Sequence, residues 1–118
     1  MKIVIADDEL RLRKIVSLHL KKNGFDVYEA SNGKEAVELA LSLNPDLIVL
    51  DINMPVMDGF EAARELKSSE KLKDIPIIFL TAKADMESIE KGKDLKAAYY
   101  LTKPFSPKDL INKIRGIK

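Results

Sequence analysis

A parallel α/β fold, in which five strands are each followed by a helix, is what the order of apolar segments predicts. Three observations carry that prediction. Leu47-Ile48-Val49-Leu50 is an apolar run without alternation, the pattern of a strand buried on both faces of a parallel sheet. Short β-branched runs alternate along the chain with segments of helical period, and right-handed crossovers turn such alternation into a parallel sheet with helices on both faces. Finally, the apolar runs end in chemically useful residues: Asp7 and Asp8, Asp51, Thr81 and Lys103. Ligands of open α/β sheets bind beyond the carboxyl ends of the strands, so these residues form one candidate site.

The elements follow in order. Lys2 to Ala6 is an Ile/Val-rich strand that ends at Asp7-Asp8-Glu9, and Leu10 to Asn23 has the helical spacing of Leu12, Val16 and Leu20. Gly24 closes that helix. Phe25 to Ala30 reads as an edge strand, and Asn32 with Glu35 starts a second helix that ends near Asn44-Pro45. After the central strand, Asp58-Gly59 opens a helix running to about Ser69, and Ile75 to Leu80 is the fourth strand, with Pro76 tolerable near its start. Asp85 to Asp94 is a weak helix with few apolar anchors. Ala97 to Leu101 is the fifth strand, and Ser106-Pro107 caps and starts the last helix.

Composition narrows the class of function. The 118 residues form one domain, 1–118, with no output domain, long enough to bury roughly two-thirds of the unfolded surface. Cysteine is absent, which excludes disulfides, thiolate metal sites and a cysteine nucleophile and fits a cytoplasmic location. A net charge of +1 offers no field for nucleic acid or an anionic membrane. The apolar residues after Lys2 are too few for a signal peptide, and no run reaches membrane-spanning length.

Three carboxylates in one crevice repel one another unless a cation joins them. An all-oxygen donor set without His or Cys suits magnesium or manganese. A cation beside Asp51 would also receive the oxygens of a phosphoryl group, with Lys103 as a compact positive charge and Thr81 as a hydroxyl donor. Asp51 is then a nucleophile that forms an acyl phosphate.

These residues and their motifs resemble the response-regulator receiver domain of two-component signalling over essentially the whole chain. Asp7-Asp8 matches its acidic pair, Asp51 in Asp51-Ile52-Asn53-Met54-Pro55-Val56-Met57-Asp58-Gly59 its phosphoacceptor, Thr81-Ala82 its switch hydroxyl, and Lys103-Pro104-Phe105 its phosphate-binding lysine and cis-proline bond. The resemblance implies a flavodoxin-like sheet of order 2-1-3-4-5. It implies magnesium held by Asp8, Asp51 and the backbone carbonyl of Asn53, with Asp7 acting through water. It also implies a phosphoryl group taken from a histidine kinase or phosphotransfer protein, and a switch in which Thr81 moves inward and Tyr100 follows. The chain departs from the family at Lys96-Ala97, where Gly-Ala is usual, and Asn53 and Lys83 occupy positions that tune dephosphorylation.

Each residue also has a plainer reading. Asp7-Asp8 could cap the first helix, Thr81 could be a strand-end hydroxyl, Lys103 a solvated charge, and Tyr100 an ordinary strand aromatic. His19 lies well along the first helix and is not a phosphodonor. Leu10, Ile15 and Leu18 fall off the Leu12-Val16-Leu20 face, so with Lys14, Phe105 and Pro107 they either dock a phosphodonor protein or widen the core stripe. A magnesium-dependent phosphatase with an aspartyl nucleophile needs a second Asp where Asn53 stands. A flavodoxin-like cofactor binder would have its phosphate repelled by Asp7-Asp8-Glu9, and a receiver that takes no phosphate would not need Asp8, Asp51, Thr81 and Lys103 together.

Overall fold

The five strands, β1 (Lys2–Ala6), β2 (Asp26–Ala30), β3 (Leu47–Asp51), β4 (Ile77–Ala82) and β5 (Tyr99–Lys103), pair in parallel in the order β2-β1-β3-β4-β5. The computed structural model describes residues 1–82 and 95–117. Its described helices are α1 (Leu10–Lys22), α2 (Gly33–Leu43), α3 (Gly59–Lys67) and α4 (Pro107–Gly116). This is the expected flavodoxin-like sheet. The weak helix expected over Asp85 to Asp94, and Lys83, lie outside the described residues.

The two faces of the sheet explain why the central run lacks alternation. Ile48 and Leu50 pack with Val4, Ile77 and Phe79 under residues of α2 and α3, while Leu47 and Val49 pack with Ile3, Ile5, Ile78 and Leu80 under α1 and α4. Every residue of β3, Asp51 included, is therefore buried. Removing one of these large side chains would cost about 2–5 kcal/mol.

The ends of the elements follow local chemistry. The Asn32 side chain accepts from the Glu35 amide and opens α2, Asp58 accepts from the Glu61 amide and opens α3, and Ser106 with Asp109 forms a reciprocal capping box before α4. Asn44 closes α2 in the left-handed region, φ 51°. α1 differs, because its N-cap, Glu9, makes no side-chain cap bond and its first turn holds no acidic residue. The acidic pair before it is thus not used as a cap.

Four elements depart from their expected bounds. β4 runs from Ile77 to Ala82 instead of Ile75 to Leu80, because Pro76 has no N–H for the ladder and Thr81 and Ala82 pair with Thr102 and Lys103. β5 starts at Tyr99 and runs to Lys103 instead of spanning Ala97 to Leu101, because Thr102 and Lys103 stay paired with Thr81 and Ala82. Ladder pairing with β4 outweighs the polar character of those residues. α3 stops at Lys67, after which Ser69 and Leu72 make tighter i to i−3 turns. Phe25 precedes β2 and packs with the α1 and α4 core, so the edge strand begins at Asp26.

Candidate phosphoacceptor and metal site

Register brings the acidic residues together. Ala6 stands beside Leu50 in the sheet, so the residues after them, Asp7 and Asp51, leave it side by side. One ligand oxygen from each of Asp7, Asp8 and Asp51 lies within 4.8 Å of the others. Asp7 and Asp51 are buried, and Asp8 is open to solvent.

Lys103 reaches the pair from the end of β5. Its Nζ lies 3.1 Å from Asp51 Oδ2, to which it donates a hydrogen bond, and 3.1 Å from Asp7 Oδ2. Asp7 Oδ2 is buried, and among the described residues the Lys103 ammonium is the group it meets. Asp7 Oδ1 accepts from the Glu9 amide at 2.9 Å, and the Asn53 amide lies 3.4 Å from Asp51 Oδ1. Three carboxylates whose oxygens converge within 4.8 Å, two of them buried, are an all-oxygen donor set that suits a hard divalent cation.

The charges show in the proton affinities. Burial first, then the neighbouring Asp7 charge, pushes Asp51 up to about 6, with Lys103 opposing. Burial alone would depress Lys103, but the charges of Asp51 and Asp7 outweigh it and hold the ammonium above its usual range. One ammonium is shared between Asp7 and Asp51 with the Asp8 carboxylate beside them, and the deficit of positive charge is what a cation would fill.

Two glycines fix the loop that follows Asp51. A Cβ on Gly59 would collide with the Asp51 carbonyl, and one on Gly33 with the Met57 carbonyl. The bare backbones allow hydrogen bonds instead, Gly59 N–H to Ile52 O at 2.9 Å and Gly33 N–H to Met57 O at 3.0 Å. The loop is pinned at both ends, which holds Asn53 beside Asp51. The Lys103–Pro104 peptide is cis, as the resemblance implies.

Thr81 is buried next to the site. Asp51 pairs in register with Leu80, and the next residue, Thr81, donates its hydroxyl to the Ala82 carbonyl at 3.1 Å. Tyr100 is half-buried and stacks on Phe79 with ring centroids 5.4 Å apart. Leu10, Ile15 and Leu18 are 58%, 46% and 53% exposed, so they do not widen the core stripe. Lys14 beside them pairs with Glu29 at 3.2 Å, Phe105 packs partly on the α1 and α4 core, and Pro107 is half-buried at the start of α4. A cavity of about 310 Å³ lined by Glu9, Leu12, Lys103, Pro104 and Phe105 opens beside the site.

Sequence reasoning missed Arg13. Its Nη1 donates to the Asp7 carbonyl at 2.8 Å and its Nε to Glu29 at 3.0 Å, which ties α1, β2 and the acidic turn together. The available signal was an arginine three residues after the start of α1, on a turn where Leu12 and Val16 face inward.

Comparison with known proteins agrees with this geometry. The family model of the response regulator receiver domain matches residues 3–115. The chain is 40% identical over 116 residues to the probable transcriptional regulator ycf29 of Pyropia yezoensis, covering 98% of this chain and 52% of that protein. It is 39% identical over 115 residues to the transcriptional regulatory protein SrrA of Staphylococcus aureus, covering 98% and 46%. The chain thus spans about half the length of these curated relatives. The chemotaxis protein CheY4 of Vibrio cholerae superimposes with a TM-score of 0.92 at 34% identity, covering 99% of this chain and 98% of that one. With parallel strands in the order β2-β1-β3-β4-β5 and a shared acidic site at their carboxyl ends, this chain belongs to the response regulator receiver domain family of two-component signalling.

Proposed function

We propose that this chain accepts a phosphoryl group on Asp51 from the phosphohistidine of a histidine kinase or phosphotransfer protein, and that this changes its affinity for a protein partner. The observation that carries the reading is Asp51 itself, buried at the end of β3 within reach of Asp7, Asp8 and the Lys103 ammonium. Asp8, Asp51 and the Asn53 carbonyl would hold magnesium or manganese, with Asp7 acting through water. The cation supplies charge neutralisation for both the carboxylates and the incoming phosphoryl oxygens.

The residues then divide the work. An Asp51 carboxylate oxygen bonds to phosphorus as the P–N bond breaks and its electron pair leaves with the imidazole. Lys103, already between Asp51 and Asp7, moves its charge to a phosphoryl oxygen as the negative charge beside it increases. Thr81 exchanges the Ala82 carbonyl for a second phosphoryl oxygen, a small rotation of a buried hydroxyl. Tyr100 follows in the space on Phe79 and carries the change to the β4 and β5 surface.

Leu10, Lys14, Ile15, Leu18, Phe105 and Pro107 dock the phosphodonor, and their support is an exposed apolar face on α1 next to the cavity at Lys103. The domain works in the cytoplasm as a signalling module over residues 1–118, catalysing its own phosphorylation and slow dephosphorylation without substrate turnover. No described helix is long and apolar enough to cross a membrane. Intact mass after incubation with acetyl phosphate tests the reading: one phosphate adduct that needs both a divalent cation and Asp51 supports it. No adduct under any condition overturns it, and sustained phosphate release far above one equivalent would favour a phosphatase.

A further inference from the structure

At the opposite end of the strands, four cationic side chains converge on one groove. Arg64 and Lys67 come from the last turn of α3, Lys73 from the turn before β4, and Lys96 from the turn before β5. They line a cavity of about 680 Å³, and Asp74 is the one carboxylate among its described lining residues. The C-terminus of α3 accounts for Arg64 and Lys67, since cations are favourable at a helix end. It does not account for Lys96.

Lys96 has φ 51°, a left-handed backbone that is unfavourable for a residue with a Cβ. The chain thus places a long cationic side chain where glycine would be easier, and does so at the wall of a cavity that already holds three cations. Lys67 is half-buried, donates to the Ile75 carbonyl at 3.1 Å, and is held below its usual proton affinity by burial first and by the Lys96 charge as well, against the pull of Asp74. Lys73 pairs at 3.1 Å with the exposed Glu70, a contact too solvated to neutralise it firmly. Backbone strain and like-charge crowding both work against stability here, and they meet at one concave surface.

We infer that this groove is a binding site for a small phosphate-rich anion, such as an oligophosphate chain, held by Lys67, Lys73 and Lys96. Several ammonium groups around one open cavity suit multiple phosphate oxygens, each met as a point charge. The site is separate from Asp51, which lies at the carboxyl end of the strands.

The test titrates tripolyphosphate into the cation-free protein at low salt, read by the thermal midpoint and by amide chemical shifts. Expected is a midpoint rise of several degrees, with shifts at Lys67, Lys73 and Lys96. Affinity should fall about tenfold or more in Lys67→Gln/Lys96→Gly, and several-fold in Lys96→Gly alone, which keeps the fold because glycine accepts the left-handed turn. If sodium chloride of equal ionic strength reproduces the rise, or if both variants bind as tightly as the parent, the proposal fails and any binding belongs elsewhere, with Lys103 the first place to look.

Discussion

The Lys103 ammonium lies 3.1 Å from the carboxylate of Asp51 and 3.1 Å from that of Asp7, so one cation bridges two buried acids. It holds them together, and in the proposed function it would release one of them to a phosphoryl group. With Lys103→Met the two carboxylates lose their shared counter-charge. Stability at pH 7 should drop by about 2 kcal/mol, and phosphorylation by acetyl phosphate should slow by roughly 100-fold. Urea unfolding and the rate of mass-adduct formation measure the two effects separately.

The raised proton affinity of Asp51 sets a pH dependence with a definite sign. Its carboxyl moves from 3.8 to about 6 on folding, so between those values the folded chain holds more protons than the unfolded one. Stability contributed by this group therefore falls as pH rises through that window and stays reduced above it. Asp51→Asn removes the penalty. Without divalent cation the variant should be more stable than the parent by on the order of 2 kcal/mol at pH 7.5 and nearly equal to it at pH 4. Unfolding curves at both pH values check this, and added magnesium should narrow the difference at pH 7.5 by stabilising the parent.

Much of this was legible in the sequence, for reasons that differ between residues. The unbroken apolar run of β3 led directly to Asp51, because a strand buried on both faces leaves no other pattern. Asp7, Thr81 and Lys103 could be found because each ends a short strand, and register then does the rest. Lys103 as a member of β5 was harder to read, since polar Thr102 and Lys103 look like loop until β4 pairs with them. Arg13 was hidden because its role depends on a backbone carbonyl and on Glu29 in another element. Neither leaves a trace in local pattern.

Arg13 supplies the next prediction. Its side chain and that of Glu29 are 12% and 17% exposed, and it also holds the Asp7 carbonyl. Burial pushes Glu29 up, but Arg13 and Lys14 outweigh it and keep the carboxyl below its usual range. Arg13→Ala should cost about 2–3 kcal/mol and weaken magnesium binding several-fold, because the turn that carries Asp7 and Asp8 loses its anchor. Calorimetric unfolding and a magnesium titration followed by amide shifts would show both.

The exposed α1 face predicts a separation of activities. Leu18 is 53% exposed, so Leu18→Glu should leave folding and acetyl phosphate labelling unchanged. Transfer from a phosphorylated histidine protein should fall about tenfold or more, since a buried charge would enter the interface. Unfolding of the variant, or unchanged transfer, would remove α1 from the docking surface.

In the proposed function Asp51 carries the phosphoryl group. The most direct measurement treats the acetyl phosphate-labelled protein with borohydride, which reduces an acyl phosphate to the alcohol and marks the aspartate permanently. Peptide sequencing by mass spectrometry should then find homoserine at position 51 and nowhere else, and only when a divalent cation was present during labelling. Homoserine at Asp7 or Asp8, or an unmodified Asp51 in protein that carries the adduct, would contradict the account.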